Sequence, residues 1–315
     1  MIILKDFSSA VIKQTFGNNS QMTAVEQIKD GLASISLKVS CDQHDKPLFL
    51  KIEKAFEIPR TQKYQIKREI AGIKLCHEKG INVPTIISSD ESGLLADRPW
   101  LLEDYIDGKS VYEYRIDDAN KKLISREYTH LFEKIVSIES DYYGDTFTDG
   151  FIGHHLSWLA TLAKMTSIIL ADCVKMEIFD SISHKFVEEA LQKALYSIKF
   201  TSKPVFFHYD LLSGNIFAEE VQSIIHLGCL FDFGMSLFAP IHYAYWLTSK
   251  LNDLMMEKID ELEKLGFDHN EDMAYEILRL ESVLLDHVIN RNDGQTGPSS
   301  YMQQYVNKCK EFVGQ

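Results

Sequence analysis

The stretch His208-Tyr209-Asp210-Leu211-Leu212-Ser213-Gly214-Asn215, followed by Asp232-Phe233-Gly234, decides the reading of this 315-residue chain. It sets two carboxylates and one carboxamide in a fixed order. Asp210 and Asn215, five positions apart on one loop, can aim a carboxylate at an incoming hydroxyl while the amide oxygen ligates a hard cation, which prefers oxygen donors. Asp232 supplies a second metal contact. Between them Ile216-Phe217-Ala218 and Ser223 to Phe231 read as two strands of a hairpin, so the ends of the set meet in space. This order and spacing predict a site for phosphoryl transfer from ATP with magnesium, with Asp210 catalytic and Asn215 and Asp232 as metal ligands. A bare Asp-Phe-Gly is common by chance, and the information lies in the ordered combination.

In these residues the sequence resembles the aminoglycoside phosphotransferase-like branch of the protein-kinase-like fold, the phosphotransferase enzyme family. The resemblance extends over nearly the whole chain. It implies an α+β, two-lobed fold: residues 1–104 as an N-lobe of small antiparallel sheet plus helix that binds nucleotide, and residues 105–315 as a mainly helical C-lobe with the catalytic loop and acceptor site. It also implies ATP- and magnesium-dependent transfer of the γ-phosphate to a hydroxyl of a small molecule, with a cationic, aminoglycoside-like acceptor as one expectation. The chain departs from the family in two places. His208-Tyr209-Asp210 stands where His-Gly-Asp is usual, and Phe238-Ala239-Pro240-Ile241 replaces an acidic Gly-Asp-Pro segment that braces the catalytic loop. A nucleotide-binding scaffold without turnover and a protein-kinase-like enzyme therefore stand as alternatives. Retention of Lys51, Asp210, Asn215 and Asp232 together argues against the scaffold. Leu212, where serine/threonine protein kinases place a lysine, and Ala239-Pro240, too soon after Gly234 to enclose an activation segment, argue against the protein kinase.

Working outward toward the N-terminus, Phe7 to Phe16 predicts a short helix stopped by Gly17. Strands are expected over Ala24–Lys29, Ser34–Ser40 and Leu48–Ile52, with turns over 30–33 and 42–46. By resemblance the nucleotide's phosphates lie under the first turn, where Gly31 is the only glycine; a plain hairpin turn is an equal reading. Lys51, flanked on its strand by apolar residues, needs either an exit to solvent or an assigned partner. Downstream, Ile66, Ile70, Ile73 and Leu75 mark the apolar face of a helix that carries Glu69. The resemblance assigns Lys51 to the α- and β-phosphates and Glu69 to an ion pair that fixes it. Two solvated surface charges are the rival reading, with Lys54 and Lys67 as alternatives for either role. A fourth strand follows Ile81–Ile87. Trp100 to Gly108 reads as a fifth strand running into a hinge, where the adenine edge is expected against the backbone of Glu103, Asp104 and Tyr105. Gly108-Lys109-Ser110 imitates the end of a phosphate-binding P-loop, but Glu103 stands where that motif requires its first glycine.

Composition sets the outer bounds. A chain with 45% hydrophobic and 25% charged residues can bury two modest cores. A formal charge of −13 disfavours broad attraction to nucleic acid or an anionic membrane and mildly favours a cationic acceptor. Five dispersed cysteines without a Cys-x-x-Cys argue against a disulfide framework and a zinc site, and place the protein in a reducing compartment, the cytoplasm. Met1 to Leu4 is too short an apolar core for a secretory peptide, and Leu156 to Met176, which contains Lys164 and Asp172, reads as a buried amphipathic helix rather than a membrane span. Further helices are expected over Lys121–Ser140 and Phe179–Phe200, and Trp158 is expected in the core. Asn252 to Glu281 is rich in Asp and Glu. By resemblance such acids attract polycationic acceptors, and the competing reading is a pair of solvated amphipathic helices.

Overall fold

Alternation of apolar and polar residues in the first 104 positions determines which face of the first sheet is dry. The computed structural model describes residues 2–28, 34–54, 59–95, 97–144, 155–199, 202–251, 269–292 and 298–314. Helix α1 (Ile2–Phe16) starts ahead of the expected Phe7 and stops at Gly17, whose φ of +104° is open to glycine at little strain. Strands β1 (Met22–Gln27), β2 (Ser34–Cys41) and β3 (His44–Glu53) form the expected meander. The turn that carries Gly31 lies outside the described residues. Helix α2 (Gln65–Glu78) follows, then β4 (Ile86–Asp90) and β5 (Trp100–Asp104), giving an antiparallel sheet of order β1-β2-β3-β5-β4. Leu37, Leu48, Leu50, Ile52, Trp100 and Leu102 share one face and pack on Phe7, Val11 and Ile12 of α1. Because side chains alternate along a strand, Ser36, Phe49, Lys51 and Glu103 share the other face. Register pairs Ser36 with Lys51 and Phe49 with Glu103, so these polar groups stand side by side.

The remainder of the chain is mainly helical. After the short strand β6 (Lys109–Ser110) come α3 (Asp118–Val136), α4 (Trp158–Lys175) and α5 (Ser181–Ser197). α3 begins three residues before the expected Lys121 because the Asp117 side chain accepts the Asn120 N–H at 2.8 Å as an N-cap, and Asp180 does the same for α5 from Ser183 at 2.7 Å. Strand β7 (Pro204–Phe207), the hairpin β8 (Ile216–Val221) and β9 (Ile224–Leu230), and β10 (Leu237–Pro240) surround the motif residues. β7 and β10 pair antiparallel, and neither has a counterpart in the sequence reading. The chain closes with α6 (Ile241–Leu251), α7 (His269–Leu278), α8 (Leu280–Asn292) and α9 (Ser300–Gly314). One core joins α2 and α3 to Trp158, Phe206, Phe233 and Trp246, spanning both halves of the molecule; a second lies among α4, α5 and α7–α9. Trp158 is fully buried, as expected. Among the described residues no helix is long and apolar enough to cross a membrane.

Candidate functional site

Where β7 ends, the chain makes the sharp loop that carries His208 to Asn215. Tyr209 takes a φ of +68°, and a single turn over Ser213–Asn215 returns the chain to β8. The Asn215 amide Nδ2 donates to the Asp210 carbonyl at 2.8 Å and to Asp210 Oδ2 at 2.9 Å, fixing the carboxylate across the loop. The β8–β9 hairpin, tightened at Gln222 and Ser223 by positive φ, returns the chain so that Phe231 N–H reaches the Asn215 carbonyl at 3.1 Å. The expected meeting of the two motifs thus occurs through this ribbon. His208 Nε2 donates to the Phe231 carbonyl at 3.0 Å and its ring packs on Phe233 at 4.6 Å. Burial pushes the His208 pKa down to about 4, so the imidazole is a neutral brace between the two motifs.

Asp232 also holds a positive φ, +66°, which turns its side chain toward the sheet. Lys51 Nζ donates to Glu69 Oε2 at 2.5 Å and to Asp232 Oδ1 at 2.7 Å, linking β3, α2 and the second motif in one triad. Burial opposes the Lys51 charge, but the Asp232 and Glu69 carboxylates outweigh it and raise the ammonium's pKa above its ordinary value. Lys51 in turn holds the Asp232 carboxyl below its usual range. The ion pair expected between Lys51 and Glu69 is therefore present and buried; Lys54 and Lys67, the alternatives, do not line the cleft described next.

That cleft has a volume of about 630 Å³. Lys51, Glu69, Asp210 and Asp232 line it, as do Glu103, Asp104 and Tyr105 at the end of β5. Asn215 is held behind Asp210, and Gly31 lies outside the described residues. Ile28 and Phe49 on one side face Phe217 and Phe231 on the other, whose rings are 4.5 Å apart. Two details depart from a hinge that offers only backbone. The Asp104 N–H is consumed by the Thr85 carbonyl at 3.1 Å and the Tyr105 N–H by the Pro47 carbonyl at 3.3 Å; Ile106, one residue beyond the edge expected for adenine, also lines the cleft. The Glu103 side chain itself enters the cleft wall, 4% exposed, with Oε2 unpartnered among the described residues; burial and then the Glu69 charge push its pKa well above the usual carboxylate range.

The cleft is also lined by Tyr209, from the first motif, by Met235, next to the second, and by Arg279, Ser282 and Leu285, which carried no motif signal and are brought here by the path of the last helices. Of the acid-rich stretch, positions 252–268 lie outside the described residues. Glu271 accepts the Lys199 N–H, Asp272 accepts Trp246 Nε1 and pairs with Lys250, Glu276 pairs with Lys250 and Lys308, and the Tyr209 hydroxyl points at Glu281 from 3.4 Å. These described acids are engaged with protein partners. Among the described residues no three His, Cys, Asp or Glu side chains gather as a metal site. The candidate donors are instead the Asp232 carboxylate, whose side chain is 43% exposed and gives only Oδ1 to Lys51, and the Asn215 carbonyl oxygen, left over once Nδ2 is committed to Asp210. Both are hard oxygen donors, the type a magnesium ion takes.

A model of the phosphotransferase enzyme family matches residues 36–275. No curated protein matches the chain. Among solved structures, a thermostable mutant of the aminoglycoside phosphotransferase APH(4)-Ia in ternary complex with AMP-PNP and hygromycin B is 12% identical, with a TM-score of 0.63 and 97% of each chain covered. A protein described as a fructosamine-3-kinase from Thermobifida fusca YX-ER1 is 13% identical, with a TM-score of 0.64 over 98% of each chain. The gentamicin complex of APH(2")-IIa gives 12% identity and 0.59, covering 97% of this chain and 94% of that one. At these identities the likeness is one of fold.

Proposed function

This chain belongs to the phosphotransferase enzyme family and is a small-molecule kinase, and on that premise we propose that it transfers the γ-phosphoryl group of ATP, with magnesium, to a hydroxyl of a small molecule. The observation that carries the proposal is the convergence of Asp210, Asp232 and Lys51 on one cleft, with Asn215 hydrogen-bonded to Asp210 and Lys51 to Asp232. In this reading the lobes divide after residue 104. The base lies between the Ile28–Phe49 and Phe217–Phe231 walls with its edge along Glu103 to Ile106. Lys51, held by Glu69, contacts the α- and β-phosphates. Asn215 and Asp232 are the residues that hold magnesium, which when bound neutralises charge on the phosphate oxygens.

Asp210 orients the acceptor hydroxyl and takes its proton as the oxygen attacks; help of this kind is worth about 10²- to 10⁴-fold in rate. The rest of the acceleration comes from holding donor and acceptor in line and from the positive charge of Lys51, the division expected for a loose phosphoryl transition state. His208, kept neutral by burial, moves no proton and fixes the backbone that presents Asp210. With five buried free cysteines, the protein is assigned to a reducing compartment, the cytoplasm.

The test is ADP release from ATP against a panel of hydroxylated small molecules, with Asp210→Asn as the control. The variant is expected to lose at least about 10²-fold in turnover while ATP still raises its thermal stability, by about 2.7 kcal/mol at 100 times the dissociation constant. Turnover by Asp210→Asn at the parent rate would remove Asp210 from the mechanism. No stabilisation by millimolar ATP with magnesium would remove the nucleotide role altogether.

A further inference from the structure

Arg279 occupies the break between α7 and α8, and with Ser282 and Leu285, one and two helical turns further on, it lines the end of the cleft away from β5. Its neighbour across the cleft is Tyr209, the residue next to Asp210: the guanidinium is close enough that its charge acts on both Tyr209 and Tyr243. A guanidinium carries five N–H donors in a rigid fork. Among the described residues one of them is used, on Ser282 Oγ, and at 3.3 Å that bond is long. Other cations of this half of the molecule are committed: Lys250 to Asp272 and Glu276, Lys308 to Glu276, and Lys203 to Glu139. Arg279 forms no ion pair with a described carboxylate. Glu281, two residues further on and buried at 4% exposure, feels the Arg279 charge without an ion-pair contact to it and meets the Tyr209 hydroxyl.

A half-buried guanidinium that spends one donor among the described residues, set beside a serine hydroxyl in the acceptor end of a kinase cleft, matches an oxyanion. Carboxylate and phosphate both present paired oxygens at the spacing of the guanidinium fork, and a charge-assisted pair of this kind is stronger than a neutral hydrogen bond. The same charge repels an ammonium group. Met235, Leu251 and Leu285 supply the apolar surface for a short carbon skeleton between the two polar ends. Resting on the phosphotransferase reading above, we propose that the acceptor carries an oxyanionic group, a carboxylate or a phosphate, which Arg279 and Ser282 hold while Asp210 addresses its hydroxyl. Arg279 is then a specificity-determining residue, and it sets this cleft apart from one built for a polycation.

Matched pairs of alcohols that differ only in charge test this. ADP release from ATP and magnesium is measured with glycerate against glyceramide, ribose 5-phosphate against ribose, and hygromycin B as the cationic arm. The anionic member of at least one pair is expected to be used with a kcat/KM about tenfold or more above its neutral counterpart, and which pair responds tells carboxylate from phosphate. On the preferred anion, Arg279→Gln raises the acceptor KM about tenfold to a hundredfold and leaves the KM for ATP within about twofold, while Arg279→Lys recovers part of the loss. Ser282→Ala gives a smaller change in the same direction and serves should the arginine variants fold poorly. Equal use of charged and neutral partners, preference for hygromycin B, or an Arg279→Gln defect that falls on the ATP KM each overturns the inference while the phosphotransferase reading stands. Absence of any thermal shift with ATP removes that reading and this inference with it.

Discussion

Tyr209 and Asp232 both hold φ near +65°, a left-handed conformation that non-glycine residues adopt at some strain and that clusters at functional sites. The strain at Asp232 goes with the triad: from that backbone its carboxylate meets Lys51 while part of its side chain stays exposed. The same geometry gives a physical reason for the glycine usual in the family at position 209, and Tyr209 offsets the departure with a hydroxyl aimed at Glu281. Because Lys51 and Glu69 are 6% and 2% exposed, Lys51→Met leaves a carboxylate buried without its cation and is expected to destabilise the fold by about 3 to 5 kcal/mol. Urea unfolding checks this, and a loss below about 1 kcal/mol would mean that the pair is hydrated. A second prediction concerns His242, fully buried beside the Tyr275 hydroxyl at 3.0 Å, its pKa pushed by burial to about 3 from an ordinary 6.5. The unfolded chain binds its proton first, so this contribution is fully present above about pH 6.5 and is lost progressively as pH falls toward about 3. Relative to His242→Asn, the wild type should therefore lose about 1.4 kcal/mol per pH unit below 6.5; parallel stability curves from pH 7 to 5 would show that His242 takes up its proton equally in the folded and unfolded chain. At this scale the motif residues were legible because their chemistry dictates their spacing. Arg279 and Ser282 were not, since nothing local distinguishes them from any residues at the start of a helix.

Elements position these side chains, and the contact that couples them most tightly is α2 against Phe233. A Cβ on Gly72 would sit 2.7 Å from the Phe233 Cβ, so the helix can lie this close only because position 72 has no side chain. Gly72→Ala gains up to about 1 kcal/mol in helix propensity and introduces an overlap typically worth about 1 to 3 kcal/mol. Overlap wins, displacing Phe233 and with it the adjacent Asp232. The expected outcome is a modest loss of stability with a larger loss of phosphotransferase turnover. If Gly72→Ala were more stable than the parent and equally active, the packing would not control Asp232. The sequence was readable wherever periodicity was long: α1, β2, β3 and α2 follow from alternation or from helical spacing, and the β8–β9 hairpin from two apolar runs around a short turn. The β7–β10 ribbon escaped because four-residue apolar runs have no period, and its register is set by pairing across some thirty residues rather than by any local preference. The end of α3 was misjudged for a related reason: Ile138 is buried like a helix-face residue, yet it belongs to the extended segment whose carbonyl accepts the Phe206 N–H at 2.7 Å.

Across the whole molecule, the sheet and the helical half are fastened at a second place, the turn that leads into α2. Arg60, in the short turn between β3 and α2, donates Nε to Asp172 Oδ1 at 2.6 Å and its backbone N–H to Asp172 Oδ2 at 2.9 Å, while Nη2 reaches the Ile168 carbonyl on α4 at 2.9 Å. Asp172 is 2% exposed, and these donors are its partners. Arg68, on the first turns of α2, binds the carbonyls of Thr61 and Lys63 through Nη2 and ties the helix to the same turn. The consequence is mechanical: α2, which carries Glu69, is anchored to α4, so the Lys51–Glu69 pair depends on a contact made in the other half of the chain. Arg60→Ala leaves the Asp172 carboxylate with a backbone N–H and, among the described residues, no counter-charge. Since the Arg60 side chain is 40% exposed and solvent already screens it, the expected loss is at the low end for a charged hydrogen bond, about 1 to 2 kcal/mol. The informative readout is local. Hydrogen exchange should quicken over residues 60–70 on the α2 side while the α4–α5 core stays protected, and the KM for ATP should rise as Glu69 loses its fixed approach to Lys51. Uniform acceleration across both halves would assign Arg60 to global stability alone, and unchanged exchange over α2 would mean that the helix is held by its apolar face.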